Sequence, residues 1–108
     1  MTPRPFRFAV NPHGSPSAAA WRDEARRAED LGYASLLVPD HLNPQLAPLP
    51  ALVAAAAATT RLRVGPQVLN NDLRHPVVAA KEIATLDVLS EGRAEWGMGA
   101  GWLPVDYE

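Results

Sequence analysis

The stretch that decides the fold spans residues 76–98 and reads PVVAAKEIATLDVLSEGRAEWGM. Its apolar side chains recur three or four residues apart, at Ala79, Ile83 and Leu86, which places them on one face of a helix. The opening proline suits the first turn of that helix, and the later glycine is a typical helix stop. Residues 94–98 are then read as a strand. We therefore expect a helix that packs against a sheet and returns the chain to that sheet.

The same unit repeats along the rest of the chain. Successive predicted strands begin about 30 residues apart, the usual size of a βαβ repeat, and eight such units make the roughly 250 residues of a TIM barrel. We therefore predict an α/β fold that forms the first half of a TIM (β/α)8 barrel, in one incomplete domain over residues 1–108. A doubly wound sheet is the alternative, and it needs one more helix and strand. The predicted strands are 6–10, 35–38, 62–69 and 94–98, and the predicted helices are 17–31, 48–60 and 75–90.

Composition and charge exclude several classes of protein. Ten Lys and Arg residues against twelve Asp and Glu give a net charge of −2, which argues against a nucleic-acid binder with a basic surface and against a polybasic membrane anchor. The chain has no cysteine, so disulfide frameworks, thiolate nucleophiles and cysteine zinc sites are excluded. The first residues lack the apolar core of a signal peptide, and the longest apolar stretch, 51–58, is too short to span a bilayer. We expect a cytoplasmic protein.

Polar residues follow the predicted strands at the positions where parallel α/β folds place their active sites. His41 directly follows the second strand together with Asp40, and imidazole can donate or accept a proton near neutral pH. The alternative is a structural role, in which His41 bonds a loop and Asp40 caps the next turn. His13 and His75 are read as structural or solvated, and three histidines so far apart predict no metal site.

A glycine-rich stretch follows the fourth strand, with Gly97, Gly99 and Gly101 at alternate positions. Small residues there let a ligand approach the backbone closely. However, no helix is expected to open at Gly101, since Trp102-Leu103-Pro104 follows, so the dinucleotide-binding fingerprint is not supported. A tight structural turn is the alternative. Inside the third strand, the Gly-Pro pair at residues 65–66 predicts a kink, a bulge or an edge position, because proline cannot donate to the ladder.

Several segments together carry a family resemblance. The most specific is KEIATLDVLSEGR at residues 81–93, and it is followed by GMGAGW at 97–102. Three further segments are LGY at 31–33, VPDH at 38–41 and TTRLRVG at 59–65. Together these segments resemble the luciferase-like monooxygenase superfamily, and they follow one another along the chain in the same order. Within that superfamily the chain is most similar to the branch of oxidoreductases that use the deazaflavin coenzyme F420. Relatives that use FMN share the fold and many of these positions.

That resemblance implies a TIM barrel that binds coenzyme F420, or alternatively FMN, and transfers a hydride to or from a small organic substrate. It implies that His41, with Asp40 beside it, is catalytic and lies near the reactive edge of the ring. It also implies a non-proline cis peptide bond near Gln67-Val68 behind the ring. Trp102 stands where sugar-phosphate dehydrogenases of the family carry a glutamate, which argues against a sugar-phosphate substrate. The cofactor-binding residues that the resemblance implies are Gln67, Val68, Asn70, Gly99, Ala100, Gly101 and Trp102.

The length of the chain keeps a second class of function open. Half a barrel exposes apolar strand faces and unpaired backbone edges, which favour aggregation or self-association. We therefore expect a homo-oligomer or a chain that complements another, and the alternative function is a truncated, non-catalytic half-barrel. A flavodoxin-like regulator is less favoured, because Asp40 and Asp72 are too few and too far apart for a phosphoacceptor cluster.

Overall fold

The computed structural model describes residues 1–15 and 17–108. Strands and helices alternate along it, and the paired strands are parallel, which confirms the predicted α/β fold. Two short 3₁₀ helices occur at Asn71–Leu73 and Pro104–Tyr107. The strands are β1 (Ala9–Val10), β2 (Ser35–Val38), β3 (Arg63–Pro66), β4 (Leu69–Asn70) and β5 (Met98–Gly99), and the helices are α1 (Ala18–Asp30), α2 (Pro48–Ala57) and α3 (Pro76–Leu89).

β2 is the centre of a three-stranded parallel sheet in the order β1-β2-β3. Leu36 of β2 lies opposite Val64 of β3, and the pairing continues to Val38 and Pro66 at the carboxyl end. Ala94 extends this sheet through a parallel bridge to Val64. β4 and β5 form a second parallel pair. Because these pairs are parallel, the carboxyl ends of paired strands meet at the same edge.

The strand predicted over residues 62–69 is two strands in the structure. β3 ends at Pro66, the following peptide bond between Gln67 and Val68 is cis, and β4 begins after it. The Gly-Pro pair lies at the carboxyl end of β3, and Pro66, whose nitrogen has no hydrogen for the ladder, is the last residue of that strand. The cis bond lies at the position that the family resemblance implied.

The first and last predicted strands are shorter than expected. Of residues 6–10 only Ala9–Val10 form β1, and the side chains of Phe6 and Phe8 are 90% and 69% exposed. Strands are stabilised by the packing of their side chains, and little of the described chain covers these two rings. The strand predicted over 94–98 is likewise reduced to a single bridge and the two-residue β5.

The helix boundaries follow local signals in the sequence. The Ser17 hydroxyl accepts a backbone N–H in the first turn of α1 at 3.1 Å, and Gly32 takes a φ of +89° just after that helix. α2 ends at Ala57, before the predicted end at residue 60. The Thr59 hydroxyl donates to a carbonyl of its last turn at 2.8 Å. In the part of the chain that the structure describes, no helix is long and apolar enough to cross a membrane.

The core lies between the three-stranded sheet and the helices that cover it. Alanines on α2 keep this helix close to the sheet, since they add little volume between the two backbones. The Trp21 indole N–H donates to the carbonyl of Ala51 at 2.8 Å, which joins α1 to α2. The fully or almost fully buried apolar residues of the core include Leu36, Leu52, Ala55, Leu62, Val64 and Leu86.

Glu29 joins the end of α1 to the loop before β3. Its carboxylate accepts the backbone N–H groups of Arg61 and Leu62 at 2.7 and 2.8 Å and that of Thr60 at 3.0 Å. Burial by itself raises the pKa of Glu29, but the three backbone hydrogen bonds and the neighbouring Arg61 lower it below the ordinary value of 4.5. The carboxylate is therefore ionised at neutral pH and fixes the loop that leads into the sheet.

Arg93 joins the end of α2 to the end of α3. Its guanidinium donates to the carbonyls of Ala56 and Leu62, both at 2.9 Å, and to that of Ser90 at 2.6 Å. It also donates to the hydroxyl of Thr59 at 3.0 Å. One planar group thus joins carbonyls at the end of α2, in the loop before β3 and just after α3.

Arg93→Lys is expected to destabilise the protein by about 2 kcal/mol, because an ammonium group cannot reach acceptors arranged around a planar fork. The matched control is Arg22→Lys, at an exposed position of α1, which is expected to change the free energy of unfolding by less than about 0.5 kcal/mol. Urea unfolding followed by circular dichroism measures both variants. Equal stability of the two would contradict the role given to Arg93.

Candidate functional site

A cavity of about 200 Å³ lies at the carboxyl ends of β2, β4 and β5. This is the edge at which parallel α/β folds carry their ligands. Gly99 and Ala100, which the sequence also predicts as cofactor-binding residues, directly precede one wall of the cavity and lie outside its lining. The lining residues are Asp40, His41, Gln67, Val68, Asn70, Gly101 and Trp102. The structure thus brings together residues from three separate segments of the chain.

His41 is the group in this cavity best suited to proton transfer. Its Nδ1 lies 2.8 Å from Oδ2 of Asp106. Its ring stands edge-on to Trp102, with ring centres 5.9 Å apart and an interplanar angle of 89°. The His41 side chain is 19% exposed. A carboxylate on one ring nitrogen and an aromatic wall beside the ring hold the imidazole in a defined orientation.

Asp106 is buried, and both of its carboxylate oxygens have partners. Oδ1 accepts the backbone N–H of Leu42 at 2.7 Å, and Oδ2 faces His41. The hydrogen bond from Leu42 and then that from His41 lower the pKa of Asp106 below its ordinary value of 3.8, although burial acts in the opposite direction. The carboxylate is therefore ionised at neutral pH and fixed in direction beside the imidazole.

The carboxylate of Asp40, the second predicted catalytic residue, has its described partners in Asn70 and Arg74. One oxygen accepts the backbone N–H of Asn70 at 2.8 Å, and the same oxygen forms an ion pair with Arg74. Asp40 is 5% exposed, and a buried carboxylate requires such partners. These contacts tie the end of β2 to the end of β4, and a catalytic role for Asp40 stays a prediction.

Asn70 and Tyr107 connect the remaining walls of the cavity. Oδ1 of Asn70 accepts the backbone N–H of Asp72 at 2.9 Å, and Nδ2 of Asn70 donates to the Tyr107 hydroxyl at 3.4 Å. That hydroxyl lies 2.9 Å from Oδ2 of Asp72 and 3.2 Å from the carbonyl of Ala100. One phenol therefore joins the loop after β5 to the 3₁₀ helix after β4.

Close approach explains the glycines of the loop after β5. A Cβ on Gly99 would lie 2.4 Å from Cγ2 of Val68. Gly101 has a φ of +78°, and a Cβ there would lie 2.0 Å from Oη of Tyr107 and 2.6 Å from Nδ2 of Asn70. Both glycines thus pack closely against the chain itself, and a cofactor-binding role for them stays a prediction. Their packing keeps Val68 and Asn70 at the cavity wall.

The other two histidines lie outside this site. Nδ1 of His75 accepts the backbone N–H of Val77 at 3.2 Å, so His75 caps α3 and has a structural role. His13 is exposed in the loop after β1. Within residues 1–15 and 17–108, no group of three or more His, Asp or Glu side chains is arranged to hold a metal ion.

Sequence reasoning missed three residues of the site, Arg74, Asp106 and Tyr107. The last two belong to the 3₁₀ helix Pro104–Tyr107, which the sequence analysis does not predict. The available signal was a carboxylate and a phenol shortly after a glycine-rich turn at a strand end. That pattern does not say which partner each group reaches, because the Asp106 and His41 positions are 65 residues apart.

Comparison with known proteins agrees with this fold. The family model for luciferase-like monooxygenases matches residues 4–108. The chain belongs to the luciferase-like monooxygenase family, as the sequence resemblance predicts. Its parallel α/β fold corresponds to the amino-terminal part of luciferase-like TIM-barrel proteins.

Individual relatives include enzymes named for coenzyme F420. The chain is 45% identical over 82 residues to an F420-dependent glucose-6-phosphate dehydrogenase of Beutenbergia cavernae, which covers 68% of this chain and 24% of that protein. The structure of a coenzyme F420-dependent tetrahydromethanopterin reductase from Methanopyrus kandleri superposes with a TM-score of 0.81 at 33% identity, over 89% of this chain and 27% of that one. A Pseudomonas putida monooxygenase component in complex with FMN shares the fold, with a TM-score of 0.79 at 24% identity, over 91% of this chain and 30% of that one. The chain spans 21 to 34% of the length of the first curated relatives.

Gly101→Ala is expected to be more destabilising than Gly32→Ala. Both variants place an alanine at positive φ, with φ values of +78° and +89°, and so share a strain of about 1 kcal/mol. A Cβ at Gly32 meets nothing within 4 Å, whereas one at Gly101 displaces Tyr107 and Asn70, which adds about 1–3 kcal/mol.

Thermal and urea unfolding of the two variants measure this difference. Equal destabilisation would show that backbone conformation alone requires a glycine at Gly101, and that the contacts with Tyr107 and Asn70 adjust without cost.

Proposed function

We propose that this protein is an oxidoreductase that binds coenzyme F420, or alternatively FMN, and transfers a hydride to or from a small organic substrate. The observation that carries the proposal is the cavity at the strand ends, which His41, Trp102 and the exposed Val68 line together. Membership of the luciferase-like family supports it, as do the relatives that are named for F420.

The lining of the cavity fits a planar ring. Val68 is 44% exposed and Trp102 is 75% exposed, so both present apolar surface that a ring system can cover. The volume of about 200 Å³ is below the roughly 300–1,000 Å³ of a complete ligand pocket. The cavity therefore takes the ring part of the cofactor, with Gln67, Val68 and Asn70 as one wall and Gly101 with Trp102 as another.

A flavin or deazaflavin held by Gln67, Val68 and Trp102 would supply a hydride acceptor or donor for the substrate. When the substrate loses a hydride it also loses a proton, and His41 accepts that proton at its ring nitrogen. In the reverse direction His41 returns the proton as the substrate gains the hydride. Asp40 would act as a positioning residue, since its carboxylate holds the Asn70 backbone and Arg74.

The cofactor choice rests on the relatives and on one departure from them. Several relatives above 30% identity carry F420 in their names, and the FMN complex shares the fold alone. Trp102 occupies the position at which the sequence resemblance places the glutamate of sugar-phosphate dehydrogenases. We therefore propose F420 with a substrate other than a sugar phosphate.

Titration of the purified protein with F420, and separately with FMN, tests the proposal through the fluorescence of the cofactor and of tryptophan. F420 is expected to bind more tightly than FMN and to quench Trp102. Trp102→Ala is expected to weaken F420 binding about tenfold, or roughly 1.4 kcal/mol, because the aromatic wall is lost.

Trp96→Ala is the matched control. Trp96 is also an exposed tryptophan, at 47%, but it lies outside the cavity lining, so its replacement should leave the affinity within about twofold. Tighter binding of FMN would reverse the cofactor choice. Binding of neither cofactor, or equal losses in the two tryptophan variants, would refute the proposed site.

We also propose that the chain associates with a second copy of itself. The alternative function, a non-catalytic half-barrel, includes such self-association. β1 is an edge of the three-stranded sheet, and the neighbouring side chains of Phe6 and Phe8 lie close together with ring centres 6.5 Å apart. Both rings are largely exposed. An unpaired strand edge beside exposed aromatic rings favours pairing between copies.

Size-exclusion chromatography with light scattering tests self-association. A mass above that of one chain is expected for the unmodified protein, and replacement of Phe6 and Phe8 by Ser is expected to shift it toward one chain. Val88→Ser is the control, because Val88 is 76% exposed on α3. A monomer with cooperative unfolding would contradict the proposal, and so would an unchanged mass in the double variant.

A further inference from the structure

The contact between His41 and Asp106 determines more than the orientation of the imidazole. A carboxylate is ionised at neutral pH and can only accept hydrogen bonds. The nitrogen that faces it at 2.8 Å, Nδ1 of His41, must therefore carry a hydrogen. In a neutral imidazole only one nitrogen is protonated, so Nε2 then has a lone pair and no hydrogen.

We propose that Asp106 is a positioning residue that holds His41 in its Nδ1–H tautomer, so that Nε2 is the nitrogen that exchanges a proton with the substrate. This inference rests on the proposed function for the direction of proton transfer, whereas the tautomer itself follows from the contacts of the chain. Within the described residues, Nε2 of His41 has no hydrogen bond to the protein, and the side chain lines the cavity.

The surroundings of Asp106 suit this role. The backbone N–H of Leu42 donates to Oδ1 at 2.7 Å, which leaves Oδ2 directed at the imidazole. The Asp106 side chain is 1% exposed, so water does not compete for its oxygens. The two hydrogen bonds lower the pKa of Asp106, which keeps it an acceptor. Asp40 cannot replace it, because Arg74 and the Asn70 backbone occupy that carboxylate.

The consequence for proton transfer is specific. Neutral His41 accepts the substrate proton at Nε2, and the imidazolium that forms keeps its Nδ1–H bond to Asp106; the cofactor, when bound, would supply the hydride acceptor. On reversal, the Nε2 proton returns to the substrate. The carboxylate accepts no proton in either direction and stabilises the charged imidazolium.

His75 provides an internal reference with the opposite tautomer. Its Nδ1 accepts the backbone N–H of Val77, so its hydrogen must be on Nε2 when the ring is neutral. The structure therefore predicts two different tautomers in one protein, Nδ1–H for His41 and Nε2–H for His75.

Long-range ¹H–¹⁵N correlation spectra of the ¹⁵N-labelled protein without cofactor distinguish the tautomers. They are recorded at about pH 9, where neutral imidazole predominates, and His41→Gln assigns the His41 signals by their loss. The expected result is a protonated Nδ1 and an unprotonated Nε2 for His41, and the reverse for His75. An Nε2–H tautomer at His41 in the unmodified protein would overturn the proposal without any variant.

Asp106→Asn tests whether the Asp106 carboxylate is the cause of the Nδ1–H tautomer of His41. The amide oxygen of Asn can still accept from Leu42, and its NH₂ group then faces Nδ1, so His41 is expected to change to the Nε2–H tautomer. Asp72→Asn is the control, because Asp72 contacts Tyr107 and should leave the His41 tautomer unchanged. An unaltered His41 tautomer in a folded Asp106→Asn protein would overturn the proposal.

The tautomer measurement does not depend on whether a cofactor binds. If neither F420 nor FMN binds but the tautomers are as expected, the proposed function fails and the role of Asp106 in holding the imidazole stands. If a cofactor binds and the His41 tautomer is Nε2–H, the proposed function stands and this inference fails.

Discussion

The parallel pairing of β2 with β3 is the constraint on which the site depends. It places Val38 opposite Pro66 at the carboxyl ends of the two strands, and the N–H of Gln67 donates to the carbonyl of Val38 at 2.9 Å. His41 follows one strand and Val68 follows the other, so the same pairing brings both to one cavity. An antiparallel pairing would have placed these two segments at opposite ends of the sheet.

Buried charge at this edge is stabilised by pairing between segments. Asp40 and Asp106 are both buried, at 5% and 6% exposure, and a buried carboxylate without partners is strongly unfavourable. Asp40 is held by Arg74, and Asp106 by His41 and the Leu42 backbone. Asp40 thereby connects the loop after β2 to the segment that follows β4, and Asp106 connects the same loop to the 3₁₀ helix Pro104–Tyr107. These contacts give the loops at the site defined positions.

Several elements could be predicted because their causes are local. Ser17 caps α1 and Gly32 follows it at positive φ, as their residue types indicate. The strand 35–38 was predicted with its observed bounds, since an apolar run between two helices has few alternatives. The strands predicted at 6–10 and 62–69 were wrong in extent. Apolar composition alone does not show whether a neighbouring layer covers a side chain, nor where a peptide bond is cis.

The sequence by itself determined the alternation of strands and helices, the family, and the residues at the strand ends that line the cavity, because periodicity and short motifs are properties of neighbouring residues. Only the tertiary structure decided which polar groups meet. Asp106 and not the adjacent Asp40 faces His41, and Tyr107 reaches Asn70 and Asp72. Those contacts join residues far apart in the chain, and their geometry depends on strand register and loop path, which no local pattern encodes.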